Sequence, residues 1–197
     1  MTPPRGLAHR LRGRGGFTLP EMVTVLALLG IVLSGLLAVF VSGTKAETDM
    51  NKRFQAEQQS RLALTRLRNE IHCAYGATTN ASGSAVTLSL GSYCSNPPSA
   101  GNYQVTYCTA LLGPQRYGLF RQLGAPATCD GSGTKMADYL VCGTLFSTCG
   151  TFFGYSAASG VMPRVLVDLP VNVDPSTPSH TYELQDAITL RNSTRPA

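Results

Sequence analysis

The feature that most constrains this chain is an apolar run near its N-terminus, from Phe17 to Val41. These 25 residues contain one charged side chain, Glu21. A helix of about 20 residues crosses the roughly 30 Å hydrocarbon core of a bilayer, so the run predicts a transmembrane helix. The preceding segment, residues 1–16, carries four arginines and no acidic residue. By the positive-inside rule, these charges keep the N-terminus in the cytoplasm, and the chain after Val41 is exported.

The carboxylate of Glu21 is costly inside an apolar span, by roughly 2.5 to 3.5 kcal/mol at the centre of a membrane. It therefore needs a partner or a function. A basic leader precedes a short motif that resembles the N-terminus of type IV prepilins and type II secretion pseudopilins; the motif consists of Gly16, Phe17, Thr18, Leu19, Glu21 and Gly30. In that family, a dedicated peptidase cuts after the glycine and methylates the new N-terminal phenylalanine. The resemblance thus implies cleavage between Gly16 and Phe17 and methylation of Phe17.

Physical chemistry accounts for the spacing of this motif. Cleavage gives Phe17 an α-ammonium group, and Glu21 follows about 6 Å further along a helix. In a bundle of such helices, Glu21 of one subunit is expected to pair with the Phe17 amine of the next, because an unpaired charge is penalised in an apolar core. A capping box formed by Thr18 and Glu21, with Pro20 in the first turn, is an alternative that is compatible with pairing.

Two further interpretations of the apolar run compete with the prepilin resemblance. A secretory signal cleaved near Gly43 would have an apolar core of only about 7 to 15 residues, which is shorter than this run. An ordinary single-pass anchor needs neither the phenylalanine after glycine nor the buried acid. Both therefore explain less of the sequence than the prepilin interpretation does.

The basic character of the chain does not extend beyond the leader. The sequence has 16 Lys and Arg residues against 11 Asp and Glu, a formal net charge of +5. Removal of residues 1–16 leaves twelve basic residues against eleven acidic ones. Nucleic acid is accordingly a possible partner but not a favoured one, since no general basic field remains after processing.

Six cysteines lie on the exported side of the apolar run, where an oxidising compartment favours disulfides. Six cysteines permit fifteen pairings, and the sequence does not choose among them. Pairing of neighbours in order is preferred, because each such pair closes a segment that contains turn residues: Cys73 with Cys94, Cys108 with Cys129, and Cys142 with Cys149. A zinc site is disfavoured because the sequence has no C-x-x-C. No metal, cofactor or catalytic residue is predicted; Cys129–Gly133 is predicted to be a turn rather than a calcium loop.

The remainder of the chain predicts an α+β fold, with a long N-terminal helix packed on an antiparallel β-sheet. Residues 42–75 lack proline and carry apolar residues at helical intervals, including Met50, Phe54 and Leu67. After Gly76 the apolar period becomes two, and short strands are predicted near residues 86–90, 103–107, 116–121, 138–142, 151–155, 165–173 and 182–190. Pro170 predicts an edge or bulged strand. The expected divisions are a leader (1–16), a transmembrane half-helix (17–41), an amphipathic half-helix (42–75) and a disulfide-stapled domain (76–197).

These features predict a structural filament subunit rather than an enzyme. The late strands also resemble minor pilins and J-type pseudopilins. The family resemblance implies as partners a prepilin peptidase, other pilin or pseudopilin subunits, an inner-membrane assembly platform, and membrane lipid before assembly. The expected location is the cytoplasmic membrane, followed by a periplasmic or cell-surface filament. The alternative is a DNA-uptake or adhesive subunit, with a stacking surface formed by Tyr103, Tyr107, Tyr117, Phe120 and Arg121.

Overall fold

The computed structural model describes residues 16–94, 103–126, 128–157 and 159–194. One long helix, α1, spans Leu19–Cys73, and every pairing between the described strands that follow it is antiparallel. The chain forms two compact units, residues 1–47 and 48–197. The predicted α+β class, with a helix packed on an antiparallel sheet, is confirmed.

Eight described strands form the sheet of the second unit. Their spatial order is β1-β2-β3-β4-β5-β7-β6, and β8 pairs with β7. A single 3₁₀ turn, Pro178–His180, precedes the last strand. The strands are β1 Gly76–Thr79, β2 Ala85–Ser89, β3 Gln104–Gly113, β4 Arg116–Leu123, β5 Thr134–Leu140, β6 Phe153–Ser156, β7 Arg164–Val171 and β8 Tyr182–Thr189.

The last part of α1 supplies one side of the core. Its buried residues recur at helical intervals of three or four, which is the period of one helix face; they are Ala56, Ser60, Ala63, Leu64, Leu67 and Ile71. Met50 and Phe54, which the sequence pattern placed on this stripe, are 70% and 66% exposed. The buried face therefore begins at Ala56, and small side chains allow the close approach.

The C-terminal end of α1 is fixed by groups that are distant in sequence. The helix ends at Cys73, two residues before the predicted end, and the first strand begins at Gly76. Asn192 Nδ2 donates hydrogen bonds to the carbonyl oxygens of His72 and Cys73, each at 3.1 Å. An orphan carbonyl at a helix end needs such a donor, so a side chain from the end of the domain completes the helix.

Polar side chains of α1 attach the helix to the sheet. Glu70 accepts hydrogen bonds from Tyr107 Oη at 2.9 Å and from Arg121 Nε at 3.1 Å. Asp186, the one acid on the apolar face of β8, accepts from Arg68 Nη2 at 2.7 Å. Further along the helix, Arg61 Nη2 donates to Tyr182 Oη at 2.6 Å. In each contact one partner lies on α1 and the other on the sheet, so these hydrogen bonds fix how the helix lies on the sheet.

β7 is paired on both sides, so the prediction of an edge or bulged strand at Pro170 is wrong. β8 lies along one side, and β6 and then β5 lie along the other. The N–H of Asp168 donates to Phe152 O, and the N–H of Asn172 donates to Tyr139 O, each at 2.9 Å. Pro170 falls between these two bonds, where the neighbouring strand changes from β6 to β5, and its carbonyl accepts from the Val141 N–H at 3.0 Å. The missing donor thus coincides with a gap in the ladder.

Each of the three disulfides joins neighbouring cysteines in the sequence. Cys73–Cys94 ties the end of α1 to the segment after β2, and Cys108–Cys129 ties β3 to the loop between β4 and β5. Cys142–Cys149 closes a short segment between β5 and β6. A disulfide typically stabilises a domain by about 2 to 4 kcal/mol, and these three restrain the loop-rich parts of the sheet.

The outer face of β7 is covered, although its polar sequence suggested exposure. Asp168 and Asn172 are both buried. The backbone N–H of Leu145 donates to Asp168 Oδ2 at 3.1 Å, while Oδ1 has no hydrogen-bond partner in the described residues. A Cβ on Gly143 would overlap Asp168 Oδ2, so only glycine permits this approach. Burial raises the pKa of the Asp168 carboxyl above its ordinary value, against the lowering effect of the Leu145 N–H.

Glu70→Gln should weaken the attachment of α1, because a neutral amide is a poorer acceptor for Arg121 and Tyr107 than a carboxylate. We expect the free energy of unfolding to fall by about 1 to 3 kcal/mol. The measurement is thermal or urea unfolding of the protein in phospholipid nanodiscs, followed by near-ultraviolet circular dichroism. Glu57→Gln on the same helix is the matched control, since no hydrogen bond or ion pair of Glu57 is seen in the described part of the chain. Equal stability of the two variants would contradict the anchoring role.

Asp168→Asn should change the pH dependence of stability in a defined direction. The folded state raises the pKa of Asp168 above its ordinary value of 3.8. At a pH below 3.8 this carboxyl therefore stabilises the folded state, and the stabilisation is lost as the pH rises through the folded-state pKa. The asparagine variant lacks this contribution. The melting temperature of the wild type minus that of the variant should therefore be larger at pH 3 than at pH 7. A difference that is constant, or that shrinks on acidification, would refute the assignment.

Candidate processing and assembly site

The first turn of α1 places the motif residues at the very start of the helix. The helix begins at Leu19, and Pro20 occupies its first turn, where a missing N–H costs nothing. The Thr18 carbonyl accepts hydrogen bonds from the N–H groups of Glu21 and Met22, at 3.0 and 3.1 Å. Glu21 is the acid of this first turn, close to the positive end of the helix dipole.

The capping box is present in sequence, but its side-chain bonds are not seen in the described residues. Backbone bonds to the Thr18 carbonyl close the turn instead. The Glu21 carboxylate therefore makes no capping hydrogen bond in the described residues. It lies favourably near the positive end of the helix dipole. Within the described part of the chain, this carboxylate has neither an ion pair nor a hydrogen-bond donor.

Hydroxyl side chains along this half of α1 bond carbonyls of their own helix. Thr24 donates to the Glu21 carbonyl at 2.9 Å, and Ser34 donates to the Ile31 carbonyl at 2.8 Å. Ser42 donates to the Val39 carbonyl in the same way, at 2.8 Å. These hydroxyl groups are hydrogen-bonded without a partner from outside the helix. The described helix supplies no donor to the Glu21 carboxylate.

The surface of this half of α1 is apolar and open. Every described residue from Gly16 to Thr48 is exposed, and Phe17 is 73% exposed. By length and composition, the helix can cross a membrane. A Cβ built on Gly30, Gly35 or Gly43 would meet nothing within 4 Å. These glycines are free to accept a close neighbour, as small residues do where membrane helices pack.

Gly16 is also unconstrained by the chain itself. A Cβ at this position would meet no atom within 4 Å, and the residue does not adopt a positive φ. The described part of the chain therefore gives no structural requirement for glycine at position 16. A requirement for glycine here would come from a macromolecule that binds this segment.

The remaining candidate sites are used structurally. All six cysteines are disulfide-bonded. His72, beside Cys73, has its Nδ1 3.0 Å from the carbonyl oxygen of Thr189. No group of three or more potential metal ligands occurs in the described residues. In the segment Cys129–Gly133, the Asp130 carboxylate accepts from the Ser132 hydroxyl and N–H, and these bonds lower its pKa; they form a local turn.

The residues of the predicted stacking surface do not share an exposed face. Tyr107 is fully buried against α1, where burial and the charge of Glu70 raise its pKa. Phe120 is 5% exposed, and Tyr117 packs edge-on against Phe152. Arg121 is committed to Glu70. Tyr107 thus lies in the core, Tyr103 and Tyr117 pack against it, and Phe120 is buried outside that cluster. The sequence pattern reflects strand packing.

Sequence reasoning missed the partners of Glu70 on β3 and β4. The alternating pattern showed one related signal, the acid Asp186 on an otherwise apolar strand face, which the structure pairs with Arg68. Glu70 does not stand out in the sequence in this way, because acidic residues are common on the exposed surface of a helix. Its two sheet partners are 37 and 51 residues away in sequence.

Comparison with known proteins identifies the N-terminal segment. Residues 11–37 match the family described as the prokaryotic N-terminal methylation motif. No match was found among curated proteins or among solved structures. The matched residues contain the leader end, Gly16, Phe17, Glu21 and most of the apolar run, which is the site described above.

Proposed function

We propose that this chain, a member of the type IV pilin and pseudopilin family by its N-terminal methylation motif, is a minor structural subunit of a pilus or type II secretion-like filament. The observation that carries the proposal is the Glu21 carboxylate. It lies on an exposed apolar helix, and no group of the described chain neutralises it. A second subunit provides the missing cation.

Processing creates that cation. A prepilin peptidase cuts between Gly16 and Phe17 and methylates the new chain end. The amine of Phe17 remains positively charged after methylation, so the mature subunit carries one cation just before α1 and one anion, Glu21, in its first turn. In a bundle of parallel helices, Glu21 of one copy accepts from the Phe17 ammonium of the next. The penalty for leaving either charge unpaired in an apolar interior selects the register between neighbours.

The arginine-rich leader supports a defined topology. Positive residues before the span retain residues 1–16 in the cytoplasm, where the peptidase acts, and the remainder is exported. Before assembly, lipid covers the exposed apolar surface of residues 17–41. An inner-membrane assembly platform then transfers the subunit into the filament, where the helices of other subunits replace the lipid.

The proposed division of labour follows the chain. Residues 1–16 are removed, residues 17–41 anchor and then assemble the subunit, and residues 42–75 carry the helix into the exported domain. Residues 76–197 form a β-rich domain held by three disulfides. The large, turn-rich and disulfide-stapled domain favours a minor position in the filament over a major one.

Gly16→Leu tests processing without disturbing the fold, because a side chain at this position meets no atom of the chain. We expect the variant to accumulate as the full-length precursor in the membrane. Ser42→Leu, remote from the cleavage site in the same helix, is the control and should be processed normally. The measurement is intact-mass spectrometry of membrane extracts. A normally shortened Gly16→Leu product would exclude cleavage at this bond.

Glu21→Ala tests the pairing. Removal of the carboxylate should leave membrane insertion and cleavage intact but abolish incorporation into sheared filaments, measured by immunoblotting of the filament and membrane fractions. Thr24→Val is the matched control, since the Thr24 hydroxyl bonds only its own helix. We expect Thr24→Val to assemble as the wild type does. Normal incorporation of Glu21→Ala would refute the proposed pairing.

A further inference from the structure

A neutral, hydroxyl-lined cleft lies on the sheet in a region to which assembly assigns no function. Its volume is about 450 Å³, within the range of roughly 300 to 1,000 Å³ that is typical of small-ligand sites. We call it the hydroxyl cleft and define it by six lining residues: Thr78, Asn80, Thr87, Thr106, Thr109 and Thr128. From it, we propose that the exported domain binds a neutral saccharide.

Strand register builds the floor of the hydroxyl cleft. Thr78 on β1 pairs with Thr87 on β2, and Thr87 pairs with Thr106 on β3. Paired residues on antiparallel strands present their side chains on the same face. The neighbours of Thr106 in sequence, Val105 and Tyr107, are fully buried in the core with α1. The threonine row therefore lies on the opposite face of the sheet, away from the helix.

The wall of the hydroxyl cleft is held in place before any ligand arrives. The Cys108–Cys129 disulfide ties the loop that carries Thr128 to β3. On the other side, Asn80 Oδ1 accepts from the Ala85 N–H at 3.0 Å, and Asn80 Nδ2 donates to Ser84 Oγ at 2.9 Å. A site whose walls are already fixed loses little conformational entropy when it binds.

The hydrogen bonds within the hydroxyl cleft leave mainly acceptor oxygens. Thr106 donates its single hydroxyl hydrogen to the Gly124 carbonyl at 2.7 Å. The 2.9 Å contact between Thr87 and Thr106 therefore has Thr87 as its donor. Thr109 donates to the Ser84 carbonyl at 3.1 Å. These three hydroxyl groups donate their hydrogens internally. Thr106 and Thr109 are buried, so the oxygen lone pairs offered to a ligand are mainly those of the half-buried Thr87 and the exposed Thr78.

The chemistry of this lining selects one class of ligand. None of the described lining residues is charged, so among them an anion finds no cation and a metal ion finds no carboxylate. An apolar ligand would cover hydroxyl groups without replacing their bonds to water, which is costly. A polyol supplies O–H donors to the available lone pairs, and its C–H groups contact threonine methyls and Pro126. A neutral sugar combines these properties.

The test uses the mature full-length protein in phospholipid nanodiscs, because sugar-based detergents would compete for the site. Saturation-transfer difference NMR is recorded with glucose, galactose, N-acetylglucosamine and lactose, and with N-acetylneuraminic acid as the charged comparator. We expect signals from at least one neutral sugar and none from the charged one. Silence of every neutral sugar, or signals from the charged sugar alone, would overturn the proposal.

Two variants assign any signal to the hydroxyl cleft. Thr78→Val and Thr87→Val each replace a hydroxyl by a methyl group of similar shape, and the donor bond of Thr106 to Gly124 is untouched. We expect the saturation-transfer signal to be lost in the double variant and reduced in Thr78→Val alone. Thr134→Val, on β5 outside the hydroxyl cleft, is the matched control. Near-ultraviolet circular dichroism confirms folding of each variant. A double variant that is folded and retains the wild-type signal would refute the site.

A free sugar and a terminal residue of a surface glycan present the same chemistry to the hydroxyl cleft. A second arm therefore compares the monosaccharide that binds with a polysaccharide that ends in the same sugar, immobilised on a biosensor. Retention of the protein on the polysaccharide, with loss of retention in the double variant, identifies a glycan ligand. Binding of the monosaccharide alone identifies a free sugar.

Discussion

The proposed assembly depends on the carboxylate of Glu21, which has no ion pair in the described part of the chain. The apolar half of α1 satisfies its hydroxyl groups through its own carbonyls, yet it offers nothing to the carboxylate of Glu21. A carboxylate in an apolar environment is tolerated when a cation lies beside it. In the proposed processing, Phe17 beside the same helix start becomes a charged chain end. Anchoring, cleavage and assembly are therefore connected through the few residues from Gly16 to Glu21.

In the second unit, residues 48–197, several polar side chains of the helix are paired within the chain. Glu70, Arg68 and Arg61 of the helix find partners on the sheet, so the helix in this unit is attached by bonds within one chain. Disulfides add covalent ties at the helix end and at two loops. Among the described residues of this unit, the buried side-chain atoms without a hydrogen-bond partner are Arg53 Nε, Ser60 Oγ and Asp168 Oδ1. The proposed assembly assigns the partner of Glu21, by contrast, to a neighbouring subunit.

A structural feature could be predicted from the sequence when the residues that determine it are close together in the chain. The span, its single acid and the helix-to-strand transition near Gly76 are visible in consecutive residues, because length, charge and apolar period are local properties. The position of Pro170 was misjudged because the change of neighbour from β6 to β5 is set by distant strands. The exposure of Met50 and Phe54 was missed for a similar reason. A helical stripe shows which residues share a face, but not where the sheet begins to cover it.

The hydroxyl cleft and the Glu70 contacts were also beyond the sequence. Threonines on three strands become neighbours only through the register of β1, β2 and β3, and a disulfide brings the loop beside them. Glu70 likewise depends on which residues of β3 and β4 face the helix. By contrast, the unusual placing of Asp186 on an apolar strand face was visible, and a search for a basic partner on the helix could have found Arg68.

The measurement that tests the central claim most directly is the mass and N-terminal sequence of the native protein, purified from its own membrane or filament. The account predicts a chain that begins at Phe17 and carries one methyl group on its α-amine. A product that retains Met1, or one that begins near Thr44, would contradict it, because Glu21 would then lack the cation on which the assembly of this subunit depends.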